Sequence, residues 1–279
     1  MVQYNPLQYL PSAEELPDSD DTPVDNELQI PVAVLLRAIL SRLWAERQDW
    51  FFGVNMGVYY QPPNTCIVPD GFLSLGVVRR KRERGRPSYV LWEENYVAPL
   101  LVIEIVSETP GQEYGDKQTK YAQIGVLYYV VYNPDHWKRD KHEPFEVYRL
   151  IEGQYVRQVG EPVWLPEIGL GIGRGRGTYE GWSREWLYWY DSERNKLPSP
   201  DERAAQELVQ AEQRIEQERQ RTEQAEQRAE QDRQQLEQER QRTEQAEQRA
   251  EQERRERQEL IARLQSRGIN LDDLEEPQP

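Results

Sequence analysis

The sixteen-residue segment EQERQRTEQAEQRAEQ occurs twice without change, at 216–231 and at 237–252. The offset is 21 residues, three heptads, and neither Gly nor Pro occurs from Asp201 to Arg267. A run this long of Glu, Gln, Arg and Ala has a helix as its one regular conformation, because these residues lose little rotamer freedom there. It cannot make a globule. All 28 aromatic residues lie in 1–200, so only that part holds the bulk needed for a core. Ser199-Pro-Asp-Glu202 has the form of a capping box with Pro at the first helical position, which fixes the expected start. Leu208, Ile215, Thr222, Ala229, Leu236, Thr243, Ala250 and Leu264 share one heptad position. The companion position reads Ala211, Glu218, Ala225, Asp232, Glu239, Ala246, Glu253, Leu260, so the seam is half charged and fits either a solvated single helix or a coiled coil. Pairs such as Arg214–Glu218, Arg219–Glu223 and Arg240–Glu244 stand at i,i+4 and support the helix on its own.

These breaks divide the chain into an extended, Pro- and Asp-rich arm at 1–25, a globular domain at 26–198, a helical tail at 199–267 and a fraying acidic end at 268–279. The arm is expected to pack through Tyr4, Leu7, Tyr9 and Leu10. The net charge is −15, which argues against coating nucleic acid by bulk charge but not against a local cleft. Cys66 is the single cysteine and His136 and His142 the two histidines, so an internal disulfide framework and a Cys- or His-based metal cage are excluded. No apolar run approaches a membrane span and no signal peptide opens the chain, so a cytoplasmic protein with no membrane partner is expected.

Within the globular part, Val32, Leu35, Leu36, Ile39, Leu40 and Leu43 fall on one face of a helix over 29–47. Strands are expected at 51–60, 66–68, 72–75, 100–106 and 127–132, with a second helix at 112–124 ended by Gly125. A hairpin is expected around Glu152–Gly153. The aromatic segment WSREWLYWYD, 182–191, reads as a final helix or cover. The fold class is therefore α/β, a mixed sheet of four or more strands flanked by helices and followed by the long C-terminal helix.

Three polar residues stand in unusual places. Glu104 interrupts the apolar strand LLVIEIV, where a carboxylate is costly unless paired or bound to a metal. Asp70 follows Pro69 near the end of a strand-like segment. Lys117 lies on the helix after the Glu104 strand, one turn before Tyr121. Two carboxylates from neighbouring strands suit Mg²⁺, with phosphate oxygens and waters as its remaining ligands, and a nearby ammonium suits phosphodiester hydrolysis. On spacing alone the same residues also fit a buried Glu104–Lys117 ion pair with Asp70 in a turn.

The order PDGFLSLG, LLVIEIVSETP, GDKQTKYAQIGVLYYVVYNP resembles the Uma-type restriction endonuclease family of the PD-(D/E)XK nuclease superfamily, over about Glu27 to Asp191. The resemblance implies a restriction-endonuclease-like fold and a metal-dependent DNA endonuclease. Asp70 would be the motif aspartate and Glu104 the acidic residue of the E-x-K half-motif. The Ile105 carbonyl would be a further metal ligand. The third position of that half-motif is Val106, so its lysine would be Lys117 on the next helix, with Lys120 as the rival. Glu27 is a candidate accessory glutamate, and Tyr121 could orient Lys117. The implied cofactor is Mg²⁺, with Mn²⁺ as a substitute, and the implied partner is DNA. The basic run Arg79, Arg80, Lys81, Arg82, Arg84 and Arg86 is a candidate contact with it. A homodimer is expected through the aromatic surface of Trp182, Trp186, Trp189 and Tyr190. A second reading makes the head a quiet nuclease-fold scaffold that works through a coiled-coil partner of the tail.

Overall fold

The computed structural model describes residues 10–17, 27–81, 83–108 and 112–267. Tyr4, Leu7, Tyr9, Arg82 and the acidic end from Gly268 lie outside the described residues. The chain divides into two compact units, Met1–Gln206 and Glu207–Pro279.

The first unit begins with α1 (Gln29–Leu43), whose Val32, Leu35, Leu36, Ile39 and Leu40 are buried as the helical spacing requires. Strands β1 (Trp50–Val54), β2 (Val58–Gln61), β3 (Thr65–Ile67), β4 (Gly71–Leu75) and β5 (Tyr89–Val90) follow. Next come β6 (Leu101–Ile105), α2 (Asp116–Ile124), β7 (Tyr128–Tyr132) and the short α3 (Trp137–Asp140). The unit continues with β8 (Phe145–Ile151), β9 (Gln154–Gln158), β10 (Val163–Leu165), β11 (Leu170–Tyr179) and β12 (Trp182–Tyr190), and α4 (Pro200–Ser266) starts at its end.

A six-stranded mixed sheet in the order β1-β4-β6-β7-β8-β9 forms the centre. Its β6 and β7 are parallel, joined by the α2 crossover, and its other pairs are antiparallel. Alternation splits the core into two layers. Leu101, Ile103, Ile105, Tyr128, Val130 and Tyr132 face α1 and the β10-β11-β12 sheet. Val102, Val106, Tyr129 and Val131 face the other way, with Tyr121 of α2. Gly125 ends α2 in the left-handed conformation, φ 86°, its N–H bonding back to Tyr121 and Ala122.

The segment Trp182–Tyr190 is a strand, which corrects the helical option. It pairs along its length with β11, from Gly171↔Tyr190 to Tyr179↔Trp182. The partner strand carries Gly at every second position from 171 to 177, so it shows no apolar alternation. Those glycines make room: a Cβ on Gly177 would collide with the Tyr188 hydroxyl and with Glu202. Trp186 and Trp189 are fully buried, and Trp189 donates its indole N–H to the Leu36 carbonyl at 3.0 Å. Those two rings cover the sheet from within and offer no surface for the expected dimer, whereas Trp182 is 49% exposed and Tyr190 half-buried.

The arm's described part, 10–17, is pinned to β2 and to the turn Leu91–Glu93 that follows β5. Trp92 donates to the Pro11 carbonyl, Ala13 N–H to Glu93, and Tyr59 to the Pro17 carbonyl. The capping box forms as read. Ser199 N–H donates to Glu202 Oε2 at 2.8 Å, and Glu202 N–H to Ser199 Oγ at 3.0 Å. Ser199 is fully buried and its hydroxyl donates to the Thr178 carbonyl, so the cap also ties α4 to β11.

The second unit continues α4, with every described residue of 207–259 exposed. Its ion pairs, Glu251–Arg255 at 2.7 Å and Glu230–Arg233 at 3.9 Å, place Glu before Arg. The expected Arg-before-Glu pairs do not form; Glu on the N-terminal side is the orientation that suits the helix dipole.

Candidate active site

Asp70 immediately precedes β4, and Glu104 lies on the adjacent β6. The register Gly71↔Ile103 and Phe72↔Val102 brings the start of β4 beside the end of β6. Glu104 shares the α2-facing side of β6 with Val102, because side chains alternate along a strand. The Asp70 carboxylate accepts the Ile105 N–H at 2.6 Å, which locks it to the end of β6. From α2, the Lys117 ammonium reaches Glu104 Oε2 at 2.8 Å, and the Tyr121 hydroxyl donates to Glu104 Oε1 at 2.5 Å. Lys117 and Tyr121 stand at i,i+4, so one helix face delivers both donors to the two oxygens of one carboxylate.

Two residues not singled out in the sequence join this group. Glu113 lies 4.0 Å from Lys117. Gln29, buried at the start of α1, donates Nε2–H to the Ile105 carbonyl at 3.4 Å. Glu27 is exposed in the turn before α1, and Gln29 is the α1 residue that touches the site. The available signal was a polar residue three, four and seven positions before Val32, Ala33 and Leu36, on the buried face of the helix. Lys120 is exposed.

Charge at the site is unbalanced. Burial pushes the Asp70 carboxyl up to about 6; the Ile105 N–H and the Lys117 ammonium pull it back and Glu113 adds to the rise. Burial pushes Glu104, 1 % exposed, up to about 8, against the pull of Lys117 and with reinforcement from Asp70. Lys117 is itself partly buried, which lowers its pKa, but the facing Glu104 carboxylate outweighs that and the net shift is upward. Burial and the Glu104 charge raise Tyr121 well above its ordinary value, so it stays a neutral donor. One ammonium therefore serves two buried carboxylates and a third close by, a donor set with capacity left for a cation.

Those donors fit a magnesium-type ion. They are hard oxygens, and among the described residues no three His, Cys, Asp or Glu side chains close a cage. Two carboxylates and the Ile105 carbonyl leave positions open for water and phosphate, which is how Mg²⁺ is held.

The basic run is largely committed to the fold. Arg79 donates to the carbonyls of Trp44, Ala45 and Arg47 and stacks on Trp50. Lys81 and Arg86 both bind the buried Glu94, and Arg86 lies over Phe51. Arg80 and Arg84 are exposed, and Arg82 lies outside the described residues.

A family model described as "Uma2: Putative restriction endonuclease" matches residues 5–175, more than half of the chain. No curated protein matches. Among solved structures, this chain is similar to a "putative nuclease belonging to DUF820 from Anabaena variabilis ATCC 29413", at 15% identity and a TM-score of 0.36. That match covers 55% of this chain and 87% of the other.

Proposed function

This chain belongs to the Uma2 restriction endonuclease family, and from that premise we propose that it is a Mg²⁺-dependent DNA endonuclease with Asp70, Glu104 and Lys117 as its catalytic residues. The observation that carries the proposal is the meeting of Glu104, Lys117 and the Asp70-bound end of β6 in one acidic group. Asp70, Glu104 and the Ile105 carbonyl would hold the ion, with Mn²⁺ as a substitute. When bound, the ion supplies Lewis-acid polarisation of the phosphate and lowers the pKa of a water.

The chain's own groups do the rest. Asp70 is held by the Ile105 N–H and Glu104 by Tyr121, so neither carboxylate must reorganise when substrate arrives. The Lys117 ammonium, beside Glu104 Oε2, orients the attacking water and offsets charge gathering on the phosphate as the P–O bond breaks. Gln29 fixes the Ile105 carbonyl from the α1 side. Exposed Arg80 and Arg84 are available to a phosphate backbone, whereas Arg79, Lys81 and Arg86 shape their loop.

The test is cleavage of supercoiled and single-stranded DNA with Mg²⁺ or Mn²⁺, against a chelator control and Glu104→Gln. Nicking or linearisation that needs the ion and is lost in the variant supports the proposal; metal-independent cleavage, or none in the wild type, removes it. The second outcome would favour a scaffold acting through α4, whose Leu208, Ile215, Leu236 and Leu260 are each more than half exposed.

A further inference from the structure

Strand β9 is the outermost strand of the central sheet, and its sequence is Gln154-Tyr155-Val156-Arg157-Gln158. Glu152 and Gly153, which join it to β8, both have positive φ, 49° and 81°, the geometry of a two-residue type I′ hairpin. In such a hairpin the flanking residues, Ile151 and Gln154, exchange both backbone hydrogen bonds, and the pattern then alternates. Gln154, Val156 and Gln158 therefore point their N–H and C=O groups at β8. Tyr155 and Arg157 point theirs outward, and neither backbone has an outer strand among the described residues.

Sheet edges are normally blunted by Pro, a bulge or inward-pointing charge. This one carries neither Pro nor a bulge, and its one charge, Arg157, is drawn onto Glu146 of the neighbouring β8. Its register with β8 runs unbroken from Val147↔Gln158 to Ile151↔Gln154. Apolar side chains stand open along it: Val156 and Ile151 are each 46% exposed and Val159 is 91% exposed.

The outward groups also select a partner. An antiparallel strand that bonds to Tyr155 and Arg157 must be centred on Val156. The strand's own sequence meets that condition when turned about a two-fold axis there. Val156 then faces Val156 of the second copy in a non-hydrogen-bonded pair, the closest side-chain approach in an antiparallel ladder. Gln154 faces Gln158. Arg157 faces Tyr155, a cation–π pairing, with both side chains already fixed: Tyr155 donates its hydroxyl to the Val126 carbonyl at 2.8 Å and Arg157 lies 3.5 Å from Glu146.

We infer that β9 is a self-pairing edge: two copies of this chain join antiparallel about a two-fold axis at Val156, so that their central sheets become one continuous sheet. The interface is isologous and closed, and it leaves no free β9 edge for further growth. The inference stands whether or not the chain cleaves DNA.

The experiment uses the full chain. Sedimentation at micromolar concentration should give the mass of a dimer for the wild type. Val156→Lys, which sets two ammonium groups face to face at an exposed position, should halve that mass while the circular dichroism and tryptophan fluorescence of the folded chain are kept. In a Cys66→Ser background, Val156→Cys should form a covalent dimer with glutathione disulfide as oxidant, since Cα atoms about 4.5 Å apart across such a pair are within disulfide reach. Gln154→Cys should not, because its symmetry mate lies several residues away along the strand. A monomeric wild type, a Val156→Lys variant that stays dimeric, or cross-linking at 154 as readily as at 156 would each overturn the inference.

Discussion

Replacing Glu104 by Gln should stabilise the metal-free protein at alkaline pH. In the folded chain burial raises the Glu104 carboxyl from an ordinary 4.5 to about 8. A carboxyl raised on folding holds a proton in the native state that the unfolded chain has released. Its contribution is thus fully present below pH 4.5 and is lost as pH rises through 8. Asp70, raised from 3.8 to about 6, acts in the same direction in a lower window. Lys117 is raised as well, so its contribution is lost only above its ordinary 10.5, outside this range.

Each pKa unit is worth about 1.4 kcal/mol, so Glu104 costs the metal-free fold roughly 4 kcal/mol between pH 4.5 and pH 8. Gln cannot ionise, but it gives up the ion pair with Lys117, so the net gain at pH 8 should be about 2 kcal/mol, roughly 4–8 °C in melting temperature for a domain of this size. All eight tryptophans lie in 1–200, so their fluorescence reports this domain while α4 is silent. Melting should be followed at pH 5 and pH 8 in chelator, then with Mg²⁺. The wild type should melt lower at pH 8 than at pH 5, Glu104→Gln should narrow that gap, and Mg²⁺ should stabilise the wild type alone, because a ligand bound by the native state raises its stability. If the variant melts below the wild type at pH 8 without metal, Glu104 is held by a satisfied ion pair and the argument for an open cation site fails.

Other consequences concern single groups. Lys117→Ala should lower the cleavage rate by about 100-fold or more while Lys120→Ala stays within a few-fold, measured as initial nicking rates of folded variants. Gly53→Ala should cost about 1–3 kcal/mol in urea melts, because the new methyl would run into the buried Phe72 ring; wild-type stability there would contradict the packing of β1 on β4. Cutting the chain after Gln206 should keep cleavage within a few-fold. Cutting after Pro198 should instead lower the melting temperature by several degrees, because it removes Ser199 and Glu202 from Thr178 and Lys196.

Much of this protein was legible from sequence for a simple reason: where one residue's neighbours in the chain are also its partners in space, pattern is enough. The α4 helix, its capping box, the apolar face of α1, the buried runs of β6 and β7, and the Glu152–Gly153 turn are all local in this sense. The family resemblance and the oddity of a carboxylate inside LLVIEIV pointed to Asp70, Glu104 and Lys117. The β11–β12 hairpin does not show in the pattern, although the same Glu-Gly pair, Glu180–Gly181, turns it with both φ angles positive. Four of the ten residues of β11 are glycine, and what they pack against comes from β12 and from the start of α4, distant in the chain or hidden in an aromatic run. Only the tertiary structure decided the rest. It drew Gln29 rather than Glu27 onto the Ile105 carbonyl, committed Arg79, Lys81 and Arg86 to carbonyls and Glu94, and buried Trp186 and Trp189 while leaving Trp182 exposed. A charge or an aromatic ring has no fixed meaning in a sequence. Its role follows from which desolvated groups the fold sets within a few ångströms of it, and those distances are long-range properties of the chain.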